Sequence, residues 1–298
     1  MVYGGNARHM GKSVRGGDMK RLLPILFLLC LPLALLAQDK PVQVARMGPV
    51  MVGGSAGTAA SYTWSCIDAD IMCEDFDGAS VCGDDAAGAT NCQETWDVTE
   101  TASATVVFAT AGTACTGKGT YVALLDDADA AAFGAYMVYD AGASKTETWT
   151  QLYFKATEDL AANARTMKLV SICSNATCSS EAVSVKWYRV GAGAYRLDVV
   201  FNAKTYSSTA TNLALNKWYG LRLYYKVNDA AGIAAYYQDD VTTDSWTQIT
   251  IADATTTTTA AQYWYHSGAG SATADVANLF IDMIKVRSAT GYPAASCP

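Results

Sequence analysis

The chain has 298 residues, 51% of them hydrophobic and only 16% charged, with 21 basic against 28 acidic side chains. That is enough apolar material for a sizeable core. The net charge of −7 disfavours nucleic acid, anionic membrane and highly sulfated polymers as partners, unless a basic groove exists locally.

From Met19 the sequence reads MKRLLPILFLLCLPLALLAQDK. Lys20 and Arg21 supply a basic start, residues 22–36 an apolar stretch, and Ala37 a small residue before a polar run. This is the pattern of a secretory signal peptide over 19–37. The apolar run is short for a spanning helix, which needs about 20 residues. Cys30 sits inside it, with further apolar residues following, which argues against a lipid anchor there. The preceding Arg-Gly-Gly-Asp (15–18) would be encoded by purine-rich codons, as a bacterial ribosome-binding site is. Met19 therefore reads as the true start and residues 1–18 as a mis-called extension. Without residues 1–37 the chain keeps 16 basic and 27 acidic residues, a net charge of −11. The expected location is secreted or extracellular, or periplasmic, with no membrane span in the mature chain. Residues 38–60, rich in Gly, Ala and Ser without periodicity, read as a flexible tether.

The remaining cysteines are Cys66, Cys73, Cys82, Cys92, Cys115, Cys173, Cys178 and Cys297. An even number behind an export signal reads as disulfides. Cys173 with Cys178, across the tip CSNATC, is the first expected pair, and Cys82 with Cys92 the second. The spacings lack a paired C-x-x-C zinc pattern, and the mature chain keeps one histidine, His266.

From Tyr62 onward, short runs of Val, Thr, Tyr, Trp and Leu alternate with Gly, Asn, Asp and Ala breaks. Strands are expected at 71–76, 103–110, 119–126, 133–139, 147–156, 165–173, 182–190, 195–202, 217–227, 232–238, 246–252, 261–267 and 277–287. A helical turn is expected only at EDLAAN (158–163), and a loop at the threonine run 255–259. So many strands do not fit one open sheet. The fold class is all-β, a two-sheet antiparallel β-sandwich of jelly-roll type over 61–298. In 147–156, Trp149, Gln151, Tyr153 and Lys155 share one face against Leu152 and Phe154. In 195–202, Arg196 and Asp198 oppose Leu197, Val199 and Phe201. In 217–227, Trp218, Arg222, Tyr224 and Lys226 oppose Tyr219, Leu221, Leu223 and Val227. These are half-buried strands with one wet face. The last strand, VANLFIDMIKV, is apolar at both parities and reads as central, with Asp282 caught inside it.

The pair of strands KWYGLRLYYKVNDAAGIAAYYQDD (217–240) resembles a hairpin of the concanavalin A-like lectin/glucanase and laminin-G-like jelly rolls. CEDFDG (73–78) and LFIDMIKV (279–286) resemble the neighbouring first and last strands of that superfamily. The sequence departs from it by having Asp239-Asp240-Val241 where a glycine turn is usual, and by its many cysteines. The superfamily holds glycan-binding modules, glycoside hydrolases, polysaccharide lyases and adhesion domains, so the fold leaves function to the site.

The resemblance implies a structural calcium ion where the first and last strands meet, with Glu74, Asp75, Asp77 and Asp282 as ligands. Calcium takes about six to eight oxygens at roughly 2.3–2.6 Å. The alternative is that the first three are solvated turn acids and Asp282 is satisfied by backbone donors. Hydrolysis by a retaining mechanism needs two carboxylates about 5–5.5 Å apart; the E-x-D-x-x-E string of one branch is absent, and the adjacent Asp239 and Asp240 face opposite sides of a strand. Lyase chemistry needs a Tyr or His base and an Arg, Gln or Asn to neutralise a uronate carboxylate. YFKA (153–156) resembles one alginate-lyase motif, but lies mid-chain without its companions. His266 is the available histidine and the lyase candidate.

Trp149, Tyr153, Lys155, Arg196, Asp198, Arg222 and Tyr224 occupy the wet faces of strands. If these strands line one sheet, rings stack on sugar faces and planar polar groups bond hydroxyls. If not, part of the set belongs to the other sheet and merely faces solvent. The expectation is a secreted, disulfide-stabilised jelly-roll module that binds polysaccharide or surface glycan without catalysis. A jelly-roll lyase and a structural or adhesive surface subunit are the alternatives.

Overall fold

Val, Ile, Leu, Tyr and Trp at every second position favour pleated strands, in which one face is buried and the other is wet. The computed structural model describes residues 70–76, 94, 96–99, 104–109, 114, 122–127, 135–253, 255–267 and 277–288. Within them lie β1 (Asp70–Glu74), β2 (Asp97–Thr99), β3 (Ala104–Ala109), β4 (Val122–Asp127), β5 (Tyr136–Lys145), β6 (Glu147–Ala156), β7 (Thr166–Cys173) and β8 (Glu181–Gly191). They are followed by β9 (Ala194–Phe201), β10 (Lys204–Ser207), β11 (Tyr219–Lys226), β12 (Ile233–Gln238), β13 (Thr247–Ile249), β14 (Ala261–Ser267) and β15 (Ala277–Ser288). Every expected strand is present. The three-residue β2 and four-residue β10 are additions too short for periodicity to flag. Residues 158–163 form bends and the start of a turn rather than helix. Six residues are too few to nucleate a helix, and Asp159 pairs with Arg189 at 3.0 Å instead.

The strands form two antiparallel sheets packed as a sandwich. The eight-stranded sheet runs β13-β12-β11-β6-β15-β4-β3, with β1 also pairing β15; the seven-stranded sheet runs β10-β9-β8-β7-β14-β5-β2. The chain crosses between sheets at β1–β2, β2–β3, β4–β5, β5–β6, β6–β7, β10–β11, β13–β14 and β14–β15, the wrapping of a jelly roll. One sheet turns Leu152, Phe154, Tyr219, Leu221, Leu223 and Tyr225 inward, and the other answers with Val185, Trp187, Tyr195, Leu197, Val199 and Trp264. Phe154 meets Trp187 edge-on at 5.6 Å, and Trp187 stacks on Tyr195 at 4.9 Å.

Strand β15 is central, as its apolar parities imply, but it changes parity. Asp282 lies opposite Tyr153 and Lys285 opposite Gln151. Three steps on β15 therefore face two on β6, which is a β-bulge. Met283 sits in it at φ 51°.

The Cys173–Cys178 disulfide is present, with Cα atoms 5.1 Å apart. It closes the turn between β7 and β8, over which the Tyr265 hydroxyl donates to the Ala176 carbonyl. Cys73 is disulfide-bonded as well. The expected leader and tether (1–60), Cys82 with Cys92, and Asp77 lie outside the described residues. No helix among the described residues is long and apolar enough to cross a membrane.

A side-chain hydrogen bond crosses the core: Trp264 Nε1 donates to Thr150 Oγ1 at 3.0 Å. Thr150→Val keeps the shape but strands a buried N–H. We expect it to lower stability by about 1–3 kcal/mol in urea unfolding, and adding Trp264→Phe to recover part of the loss, because both polar partners are then gone.

Candidate functional site

Residues directly opposite on paired strands share a face, so the outer surface of the eight-stranded sheet can be read in rows. One row is Tyr236, Arg222, Gln151, Lys285 and Cys73 on β12, β11, β6, β15 and β1. The next is Gln238, Gly220, Tyr153 and Asp282. On the other side lie Tyr224, Trp149, Arg287 and Asp70. The bulge at Met283 is what brings Asp282 and Lys285 onto the same surface.

The rows are tied together. Arg222 Nε donates to Gln151 Oε1 at 2.7 Å, and Gln151 Nε2 stands 3.4 Å from the Tyr153 hydroxyl. Arg287 Nε donates to Asp70 Oδ1 at 2.7 Å, and Lys285 Nζ lies 3.9 Å from the other oxygen of that carboxylate. Burial pushes the Lys285 ammonium below its ordinary pKa; Arg287 pushes the same way, and Asp70 opposes. Burial also lowers Lys155, whose Nζ sits over the rings of Trp218 at 4.9 Å and Phe280 at 4.6 Å. Tyr153 is covered by Ala114, Met283, Trp218 and Val241, and Asp282 accepts a hydrogen bond from the Ala114 N–H at 2.8 Å.

Beside this polar bed is an aromatic patch. Trp149 lies 4.8 Å from Tyr224 and 6.4 Å from Tyr236, and all three are half-buried. The Tyr224 hydroxyl donates to Glu147 at 2.7 Å. Burial, then that bond, raises its pKa well above the ordinary tyrosine range.

Of the sequence candidates, Trp149, Tyr153, Lys155, Arg222 and Tyr224 thus meet on one face. Arg196 and Asp198 do not. They project from β9 on the far side of the other sheet, where Arg196 binds Asp198 at 2.8 and 3.2 Å and covers Tyr188. Alternation separates the faces of a strand without saying which sheet the strand joins. Gln151, Tyr236, Lys285 and Arg287 belong to the face and were missed as candidates. The shift of parity in β15 hides the last two.

Of the expected metal ligands, Glu74 and Asp282 face opposite sides of the eight-stranded sheet, and Asp77 lies outside the described residues. Glu74 is buried on the core side of β1, opposite Ile284. It accepts hydrogen bonds from the Phe76 N–H at 2.7 Å, the Glu94 N–H at 2.9 Å and Trp96 Nε1 at 3.1 Å. Asp282 points to the outer side, and Asp75 is half-buried. Among the described residues no three His, Cys, Asp or Glu side chains group as a metal site.

His266 is not where a substrate reaches. It is wholly buried on the core side of β14, edge-on to Trp96 at 5.8 Å. Burial pushes its pKa down to about 3, a contact with the Leu169 backbone opposing the shift only in part. This has a consequence for stability. Below the ordinary histidine value of 6.5 the unfolded chain takes up a proton that the folded core refuses until about pH 3. Stability is therefore full above pH 6.5 and declines as the pH falls through that window. Between about pH 7 and pH 5 His266 should account for a loss of about 2 kcal/mol. His266→Phe should flatten that part of the pH profile in urea unfolding; an unchanged slope would mean the ring is already hydrated.

No protein-family model matches the sequence, and a search of curated proteins finds no relative. Solved structures resemble the fold at a distance. An endo-β-1,4-glucuronan lyase from the fungus Trichoderma reesei shares 12% identity over 65% of this chain and 91% of that one, with a TM-score of 0.45. A marine alginate lyase from Aplysia kurodai shares 8% over 74% and 99%, with a TM-score of 0.47. At such values the likeness assigns neither family nor activity.

Proposed function

We propose that the outer face of the eight-stranded sheet binds a polysaccharide chain and does not cleave it. The observation that carries this is the patch of three half-buried rings, Trp149, Tyr224 and Tyr236, on adjacent strands beside a hydrogen-bonded polar row. Flat rings of this kind suit the C–H faces of sugars, while the Arg222–Gln151 hydrogen bond stiffens the strands beneath them. The rigid sheet holds the rings in place before the ligand arrives, which limits the entropy lost on binding. Cover supports binding over cleavage on this face: a general base must reach its proton within hydrogen-bond distance, and Tyr153 and Lys285 are both buried.

The test is affinity electrophoresis or calorimetry against a panel of neutral and acidic polysaccharides. Trp149→Ala should weaken binding roughly tenfold, about 1.4 kcal/mol, while Arg196→Ala on the far sheet should not. Equal affinity of Trp149→Ala and wild type would remove this face as the site. Lack of affinity for every glycan would favour a structural surface subunit.

A second reading, uronate β-elimination, draws on the Tyr153 hydroxyl standing beside the Gln151 amide in a face that also holds Lys285 and Arg222. In that chemistry the ionised Tyr153 oxygen would take the proton next to the carboxylate and hand it to the departing glycosidic oxygen, the C–H electron pair forming a carbon–carbon double bond as the C–O bond breaks. Ultraviolet absorbance of the unsaturated product, lost in Tyr153→Phe and kept in His266→Phe, would establish it in place of simple binding.

A further inference from the structure

The segment between β12 and β13 folds back over the polar row. Its chain is held at the edge by Lys217 and Asp239, 3.0 Å apart and both exposed. The Asp240 carboxylate accepts from the Thr242 N–H at 3.0 Å, and Gln238 Nε2 donates to the Thr243 carbonyl. The indole of Trp246 then lies 3.8 Å over the Arg222 guanidinium. Its Nε1 donates to Asp244 Oδ1 at 2.9 Å, and that same oxygen is 3.9 Å from Arg222 Nη2.

The sheet is shaped to admit this ring. Gly220 sits in the row beside Arg222, and a Cβ there would stand 2.7 Å from Trp246 Cη2 and 2.7 Å from Gln238 Oε1. The cations of the face are also held differently. Arg287 and Lys285 face Asp70, whose side chain is 3% exposed, whereas Asp244, beside Arg222, is 69% exposed. A carboxylate at 3.9 Å is also looser than a charge-assisted hydrogen bond, which closes to about 2.7–2.9 Å.

We propose that Asp244 and Trp246 are a resident stand-in for an acidic sugar. Together they bring Arg222 a carboxylate and a flat apolar ring face, the two features a uronic acid residue would bring. The ligand class is thereby a carboxylate-bearing polysaccharide, and it binds by displacing segment 239–246 from Arg222. This rests on the proposed binding face. The closed segment lowers apparent affinity by the fraction of molecules that are open, so weakening the stand-in tightens binding.

The experiment titrates wild type and Asp244→Asn with polygalacturonate and alginate oligosaccharides, and with cello-oligosaccharides as the neutral probe. Asp244→Asn should bind the uronates roughly fivefold tighter or more and the neutral probe as wild type does. Gly220→Ala, which crowds Trp246 off Arg222, should reproduce the gain if its thermal melt shows it folded; if it does not fold, the exposed Asp244 decides alone. Asp229→Asn makes the same charge change at the β11–β12 turn and should leave uronate affinity unchanged. Equal uronate affinity in Asp244→Asn and wild type overturns the competition while leaving the binding face intact. The same gain in Asp229→Asn, or an equal gain for the neutral probe, overturns the mimicry. Failure of wild type and every variant to bind any glycan overturns the binding face, and this proposal with it.

Discussion

Between Asp282 and Lys285 the last strand has two residues where its neighbour β6 has one. Side chains alternate strictly along a strand, so positions three apart ordinarily point to opposite faces. The extra residue cancels that. Before the bulge Leu279 and Ile281 fill the core; after it Ile284 and Val286 do. Asp282, Lys285 and Arg287 consequently share the outer surface with Tyr153, Gln151 and Trp149. Met283 adopts a left-handed conformation to make the step, which an L-residue takes at a cost of about 1–2 kcal/mol. Removing the step would turn two cations into the sandwich, which costs far more when they lack partners there. The polar face and the sealed core therefore depend on the same backbone irregularity.

The outer face that results is unlike an ordinary wet sheet surface. Tyr153, Gln151, Arg222 and Lys285 are nearly as shielded as core residues; Trp218 and Val241 cover Tyr153, and Trp246 covers Arg222. In such a setting each hydrogen bond is strengthened, and each group left without one is expensive. That explains the chain of contacts from Arg222 through Gln151 to Tyr153, and the pairing of Asp70 with Arg287. It also explains the depressed basicity of Lys155 and Lys285. Only the aromatic side of the face is open enough to meet a ligand directly.

Most of the architecture was legible from periodicity. Trp149, Tyr153 and Lys155 stand on the face their spacing implies, and His266 shares the inward side with Trp264 as its parity requires. What parity omits is the partner sheet: Arg196 and Asp198 obey the same alternation as Arg222, yet decorate the other side of the molecule. It also omits bulges. VANLFIDMIKV reads as apolar throughout because two inward registers are spliced within it, and the splice is visible only when β6 is laid alongside. The acids of CEDFDG were legible as a group but not by role. Glu74 is consumed by backbone and indole donors inside the core, which no local pattern distinguishes from a ligand.

The link between Cys173 and Cys178 spans only five positions along the chain. Closing so short a loop restrains the unfolded state less than a long-range bridge does. Its effect is local: it fixes the carbonyl of Ala176 above Tyr265 on the back of the seven-stranded sheet. Cys73, also disulfide-bonded, stands in the outer row of the other sheet opposite Lys285, so each sheet carries a thiol-sensitive point. A reducing environment would therefore loosen a latch on each outer surface of the sandwich.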